Sequence, residues 1–221
     1  MHALLNETMS VRPRRRGRRM VLLVGGLTAL AALGVSAPAL AQHAHRFLAQ
    51  TGWFTSPNPP GTKLVDPDQT STETDTSEWV SVTSPDFVAY SVSILPPEIV
   101  LPPAYSIDKF AVAVATAQKH SFTDGGLIQA TGIRSHYEQV AQCVWMNEWL
   151  AADTAHDAGR AASAAAVLRG AARWPATVAT DGGGIVAGLE SVAASAAGGD
   201  RAPVAREVAI NCGDVPDGIL K

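Results

Sequence analysis

The amino-acid sequence predicts a mainly α-helical fold: a small bundle of four to five helices, preceded by a short β-hairpin and a disordered spacer, with a signal or anchor helix at the N-terminus. Three observations predict it. Apolar residues recur at helical spacing after residue 105, apolar and polar residues alternate between 79 and 94, and residues 20–38 carry no charge. The predicted boundaries are 1–41 for a signal peptide or signal anchor, 42–78 for a juxtamembrane segment and the spacer, 79–104 for the hairpin and a proline-rich connector, and 105–221 for a disulfide-pinned helical domain.

The N-terminal region has the three parts of an export signal in order. Six arginines lie between residues 12 and 19, the uncharged run follows, and the small residues Ala39 and Ala41 predict cleavage before Gln42. The run is nevertheless about as long as a spanning helix of roughly 17 to 25 residues, whereas a signal core usually has about 7 to 15. A cleaved signal and a retained anchor both remain open, as does a twin-arginine export route through Arg18-Arg19. In each case the residues after Ala41 face outward, because the cationic block stays in the cytoplasm.

The charge of the chain changes once this region is set aside. Beyond residue 41 the sequence has 11 basic and 19 acidic residues, a net charge of about −8. An acidic domain with scattered basic residues has no electrostatic attraction to phosphate backbones, so we expect no nucleic-acid partner. The expected partners are the membrane, through the N-terminal segment, and a protein of the cell envelope.

The two cysteines, Cys143 and Cys212, both lie in the part predicted to be exported. An even number of cysteines in an oxidising compartment predicts a disulfide. The sequence has no Cys-x-x-Cys motif and no second pair that would complete a metal cage, so a structural bridge is favoured over a catalytic or metal-binding role.

Residues 55–78 are rich in proline, threonine, serine and acids, which predicts a disordered spacer. Ahead of it, residues 46–54 carry several large apolar side chains, which favour an interfacial anchor, a stretch that packs on the domain, or a peptide ligand for a partner. The alternation in 79–94 predicts a hairpin that turns at Ser84-Pro85-Asp86. The prolines that follow predict a stiff extended connector.

From Ser106 onward the periodicity is helical, and capping residues suggest where each helix begins and ends. Ser106 is predicted to cap the first helix, and Asp153 or Thr154 the third. The predicted helices run from Ser106 to about Thr123, from about Gly132 to Leu150, from Asp153 or Thr154 to Arg173, from the end of a turn at Asp181–Gly184 to about Ala197, and from Pro203 to Ile210.

Ser106 and Lys109 form the pattern nearest to an enzyme signature. Residues three apart share a helix face, so the lysine amine could deprotonate the serine hydroxyl, as in penicillin-binding proteins and serine β-lactamases. Those enzymes also need a Lys-Thr-Gly strand downstream, which does not occur after Lys109. The sequence therefore favours Ser106 as a helix cap and Lys109 as a solvated side chain.

Two further groups are candidates for binding. Asp153, His156 and Asp157, close to Glu148, could supply metal ligands, but no His-Glu-x-x-His or EF-hand pattern supports them, so we expect no metal and no other cofactor. Trp145 and Trp149 lie four apart on a predicted helix, a spacing that favours core packing and leaves a binding patch for an apolar partner as the alternative.

These observations favour an exported bacterial envelope protein, secreted or anchored in the membrane, that acts by contact with a protein or a small ligand rather than by catalysis. The alternative is a small envelope hydrolase that uses Ser106 and Lys109, or His156 with the neighbouring acids. Ligand, partner and oligomeric state have no signal in the sequence.

Overall fold

The computed structural model describes residues 47–54, 77–122, 125–213, 215–216 and 219. About 62% of them are helical, which confirms the mainly helical fold. The elements are β1 (Trp79–Ser81), α1 (Phe87–Ser93), α2 (Ile107–Ser121), β2 (Leu127–Gln129), α3 (Ala130–Thr154), α4 (Ala158–Ala171), α5 (Pro175–Ala179), α6 (Ile185–Ala197) and α7 (Arg201–Asn211).

The two strands form a small antiparallel sheet in which Val80 pairs with Ile128. On its other edge, β1 is bridged to the chain that precedes the spacer, with Gln50 opposite Val80. β1 therefore lies between β2 and the segment 47–54. The buried side chain of Val80 joins this sheet to the core.

The predicted hairpin over 79–94 is wrong after its first strand. The turn at 84–86 is present, since the Phe87 N–H bonds to the Ser84 carbonyl, but the chain then enters α1 and β1 pairs instead with β2. Phe87, Tyr90 and Ser91 are the buried positions of α1, at the three-and-four spacing of a helix. Burial of this face against α2 outweighs the alternation that suggested a strand.

The helical prediction is right for the longer elements and wrong in two details. α2 begins after Ser106, whose Oγ accepts the Lys109 N–H at 3.5 Å, as predicted. α4, however, is capped by Asp157, not by Asp153 or Thr154. α4 also ends at Ala171 rather than Arg173, and Pro175 then starts the short helix α5 from its first position, where a missing N–H leaves no helical bond unmade. This helix and α1 bring the described helices to seven.

α3 is the central element and contributes to two hydrophobic cores. The first core joins its N-terminal half to the sheet, α1 and α2, and includes Phe87, Tyr90, Phe110, Val114, Ile133 and Tyr137. The second core joins its C-terminal half to α4, α6 and α7, and includes Trp145, Trp149, Ala164, Leu168, Ala193 and Val204.

None of the helices within the described ranges combines the length and the apolar character needed to cross a bilayer. The uncharged run at 20–38, together with Ala39, Ala41 and Gln42 at the predicted cleavage point, lies outside those ranges.

Candidate functional site

The Ser106 side chain contacts Lys109 at its backbone amide. The Ser106 hydroxyl accepts the amide N–H of Lys109, and both residues are exposed. This contact is a helix N-cap, which satisfies a backbone donor at the start of α2. The hydroxyl is thus used for capping in this structure, as the sequence favoured.

The acidic residues at the joint between α3 and α4 are engaged by two arginines, Arg160 and Arg201. Asp153 binds Arg201 and Glu148 binds Arg160, both at 2.7 Å, while the Asp157 carboxylate accepts the Arg160 N–H. Across the described ranges, no group of three or more His, Cys, Asp or Glu side chains could hold a metal ion.

His156 has a backbone role at this joint. Its φ of 54° is left-handed, the conformation that ends many helices. The His156 N–H bonds to the Asp153 carbonyl and the Asp157 N–H to the Ala152 carbonyl, which together form a Schellman motif. The candidate ligand thus serves to turn the chain from α3 into α4.

Trp145 and Trp149 are buried, at 7% and 1% exposure, and belong to the second core. The Trp145 indole N–H donates to the Val100 carbonyl at 2.7 Å and so ties the proline-rich connector to α3. Neither indole presents an aromatic surface to a partner in this structure.

The predicted cysteine pair lies at bonding distance: the two Sγ atoms are 2.07 Å apart and the two Cα atoms 5.6 Å apart. Cys143 lies on α3 and Cys212 is the C-cap of α7. The bridge links α3 to the end of α7 within the second core, and the two cysteines are 69 residues apart in the sequence.

A buried carboxylate that the sequence did not suggest lies on α3. Glu138 has no exposed surface, and its oxygens accept the Thr177 N–H at 2.6 Å, the Thr177 hydroxyl at 2.7 Å and the Ala176 N–H at 3.0 Å. Gln142, one turn later, donates to the same Thr177 hydroxyl at 3.0 Å. These contacts hold the start of α5 against α3.

Burial raises the pKa of Glu138, and a hydrogen bond with Glu98 raises it further, although the bonds from Thr177 and Ala176 lower it. Because Glu138 has no exposed surface, it is out of reach of a substrate in this structure. Its role is to bind the start of α5 to α3.

The segment 47–54 is held against β1 by backbone hydrogen bonds. Trp79 N donates to the Trp53 carbonyl and Ser81 N to the Ala49 carbonyl, both at 2.8 Å. Thr51 N bonds to the Trp79 carbonyl at 3.4 Å. This pattern is that of a strand added to the edge of a sheet.

Two carboxylates clamp the same segment from outside the sheet. Asp86 accepts the Leu48 N–H at 2.5 Å and the Ala49 N–H at 2.9 Å, and Glu78 accepts the Gly52 N–H at 2.8 Å. Desolvation raises the pKa of Asp86, but the bonds from Ser84, Leu48 and Ala49 together outweigh it and hold this pKa below its ordinary value. Asp86 is thus charged while it holds the segment.

The apolar side of the contact is equally specific. The Ala49 side chain has no exposed surface, and the Phe47 ring meets the Tyr90 ring edge-on with centroids 5.6 Å apart. Leu48, between them, is 77% exposed, as the alternation of an extended chain requires. Among the roles predicted for 46–54, the structure shows packing on the domain.

Comparison of the chain with protein-family models, with curated proteins and with solved structures finds no match.

Proposed function

We propose that this is an exported bacterial envelope protein, secreted or held at the membrane by its N-terminal segment, that acts by contact with another protein or a small ligand. The bridge between Cys143 and Cys212 carries this proposal, because disulfides form and persist outside the reducing cytosol. In this proposal residues 105–221 act as a disulfide-pinned helical bundle that follows the signal or anchor helix.

The way the candidate reactive groups are used supports contact rather than catalysis. The Ser106 hydroxyl caps α2, Asp153 and Glu148 bind arginines, and Glu138 fastens α5. Each of these groups serves the fold. The hydrolase alternative requires one of them to leave its structural partner.

The export proposal is tested by the intact mass of the protein from fractionated native cells, with free thiols alkylated before and after reduction. We expect alkylation of both cysteines only after reduction. A mass that begins at Gln42 in the soluble exported fraction identifies a secreted protein, and a full-length mass in the membrane fraction identifies an anchored one. Recovery from the cytosol with two alkylated thiols before reduction would contradict export.

A serine-directed activity probe tests the non-catalytic part. We expect the folded protein and the Ser106→Ala variant to give the same absence of labelling. Labelling that disappears in Ser106→Ala would establish the hydrolase alternative instead.

A further inference from the structure

We propose that the edge of β1, with Asp86 and Glu78, is a binding site for an extended peptide, and that residues 47–54 are its occupant within the same chain. The site is separate from export and from the choice between secretion and anchoring. If residues 47–54 are bound in this way, they should stay bound after the chain is cut between 54 and 77.

The first support is that recognition runs through the backbone of the segment. Three ladder bonds join it to β1, and the two carboxylates accept three of its N–H groups. Bonds from backbone N–H to a charged carboxylate are about twice as strong as neutral ones. Main-chain pairing of this kind gives affinity to peptides that add a strand to a sheet.

The second support is that side-chain pockets alternate along the segment. Ala49 is enclosed and Phe47 packs on Tyr90, whereas Leu48 projects into solvent. A larger or charged side chain has no room at 49, while position 48 tolerates either. The site therefore selects an extended peptide with an aromatic residue and a small residue two positions apart.

The third support is how the segment is connected. Its covalent link to β1 is the stretch 55–76, and the described residues on either side of that stretch are hydrogen-bonded to each other, since the Trp53 carbonyl accepts the Trp79 N–H at 2.8 Å. The bonds described above all lie outside 55–76, so a cut there removes none of them. In this proposal the stretch only raises the effective concentration of the segment near the site. The binding itself comes from the contacts with β1, Asp86 and Glu78.

The test uses the full chain with a specific protease site placed in the middle of 55–76. After cleavage, size exclusion and native mass spectrometry at roughly 0.1 mM protein are expected to show the N-terminal fragment bound to the rest of the chain, one to one. Complete separation of the two pieces at that concentration would overturn the proposal.

Synthetic peptides of residues 46–54 then compete for the site in the cut wild-type protein, so no variant has to fold. The natural peptide and its Leu48→Gln version are expected to displace the fragment about equally, and the Ala49→Gln version at least about tenfold less well. Equal competition by all three peptides, or displacement by none of them in large excess, would overturn the site.

A substitution on the domain side completes the test. Asp86→Asn is expected to weaken retention of the fragment by about tenfold or more, since two N–H groups lose their charged acceptor. Asp200→Asn is the matched control, because Asp86 and Asp200 are both helix N-caps but Asp200 lies at the start of α7. Circular dichroism checks that both variants are folded. Equal retention in the two variants would overturn the role of Asp86.

Exchange between copies is the remaining outcome. Size exclusion and native mass spectrometry of the uncut chain at the same concentration are expected to show a monomer, in which the segment can only come from the same chain. A dimer that falls to one-to-one complexes after cleavage would show that the occupant comes from a second copy, and would overturn binding within one chain.

Discussion

The two cores of this protein are held together by different means, although α3 runs through both. The first core contains five buried aromatic side chains (Phe87, Tyr90, Phe110, Tyr137 and Trp174). In the second, small alanines from α4 and α6 surround Trp145 and Trp149, and a disulfide joins α3 to the end of α7.

The difference shows how one chain can stabilise two neighbouring layers. Aromatic rings bury a large apolar area each and so stabilise the first core through the hydrophobic effect. Alanine buries little area but allows helices to approach closely, so the second core gains less from burial and more from the covalent link. We therefore expect that removing the disulfide or a buried hydrogen bond will raise hydrogen exchange most in the core that contains it.

The largest expected effect is in the second core. The double variant Cys143→Ala/Cys212→Ala should lose up to about 4 kcal/mol of unfolding free energy, the loop-entropy value for a bridge of this span. Urea denaturation measures the loss, and hydrogen exchange locates it. Exchange should rise most in α6 and α7 and least in α2. An equal rise in both cores would show that they form one cooperative unit.

The next largest effect lies between the cores, at Glu138. Glu138→Ala leaves the N–H groups of Ala176 and Thr177 without their acceptor inside the protein, which should cost about 3 kcal/mol. Glu148→Ala is the matched control, since it removes a carboxylate of the same helix from an ion pair with a half-exposed arginine and should cost below about 1 kcal/mol. Equal losses in urea denaturation would contradict the structural role of Glu138.

The pH dependence of stability should separate Glu138 from Asp86 by sign. Burial raises the pKa of Glu138, so its contribution is present below the ordinary value of 4.5 and is lost as the pH rises through the raised pKa. The pKa of Asp86 is lowered, so its contribution is present above 3.8 and is lost as the pH falls through the lowered pKa. Urea midpoints measured across pH should show both slopes in the wild type, while Glu138→Gln should lose the first and Asp86→Asn the second.

A smaller effect is expected from the buried hydrogen bonds of Tyr137 in the first core. The Tyr137 hydroxyl donates to the Ala111 carbonyl and accepts from the Ser91 hydroxyl, both at 3.0 Å, and so links α3 to α2 and α1. Tyr137→Phe should cost about 2 kcal/mol, with faster exchange in α1 and α2 and little change in α6. A cycle with Ser91→Ala isolates the bond between the two hydroxyls, and zero coupling would contradict it.

The smallest effect compares two corners of the second core. The α3–α4 and α6–α7 corners each place a left-handed residue before an aspartate that caps the next helix, with His156 and Asp157 in one and Gly199 and Asp200 in the other. A non-glycine residue costs about 1 kcal/mol in this conformation. His156→Gly should therefore stabilise, and Gly199→Ala destabilise, by about that amount in thermal unfolding. Destabilisation by both would mean that the His156 side chain contributes contacts of its own.

Local signals in the sequence were sufficient for part of the fold. The Ser106 cap acts within a few residues and the cysteine pair through one covalent bond, and the structure has both. α1 was mistaken for a strand because a seven-residue stretch can show either periodicity, and only its burial against α2 decides between them.

The contacts of Glu138 and Asp86 depend on partners far along the chain. Glu138 resembles any helical glutamate until α5 arrives 38 and 39 residues later with two N–H groups. Asp86 binds residues 37 and 38 positions before it. An acidic residue within the apolar stripe of a predicted helix was the available signal for Glu138. For Asp86 the sequence offered none beyond its place in a predicted turn.

The docked segment also has a protective role for the sheet. β1 is flanked on one side by β2 and on the other by residues 47–54, so its backbone groups are paired along both edges at Val80. An uncovered strand edge is a template for pairing with other chains and for aggregation. Residues 47–54 thus cover the edge of β1 that β2 leaves open. A recombinant form of this domain should therefore begin before Phe47, because one that begins at Ser77 would expose that edge and be prone to aggregate.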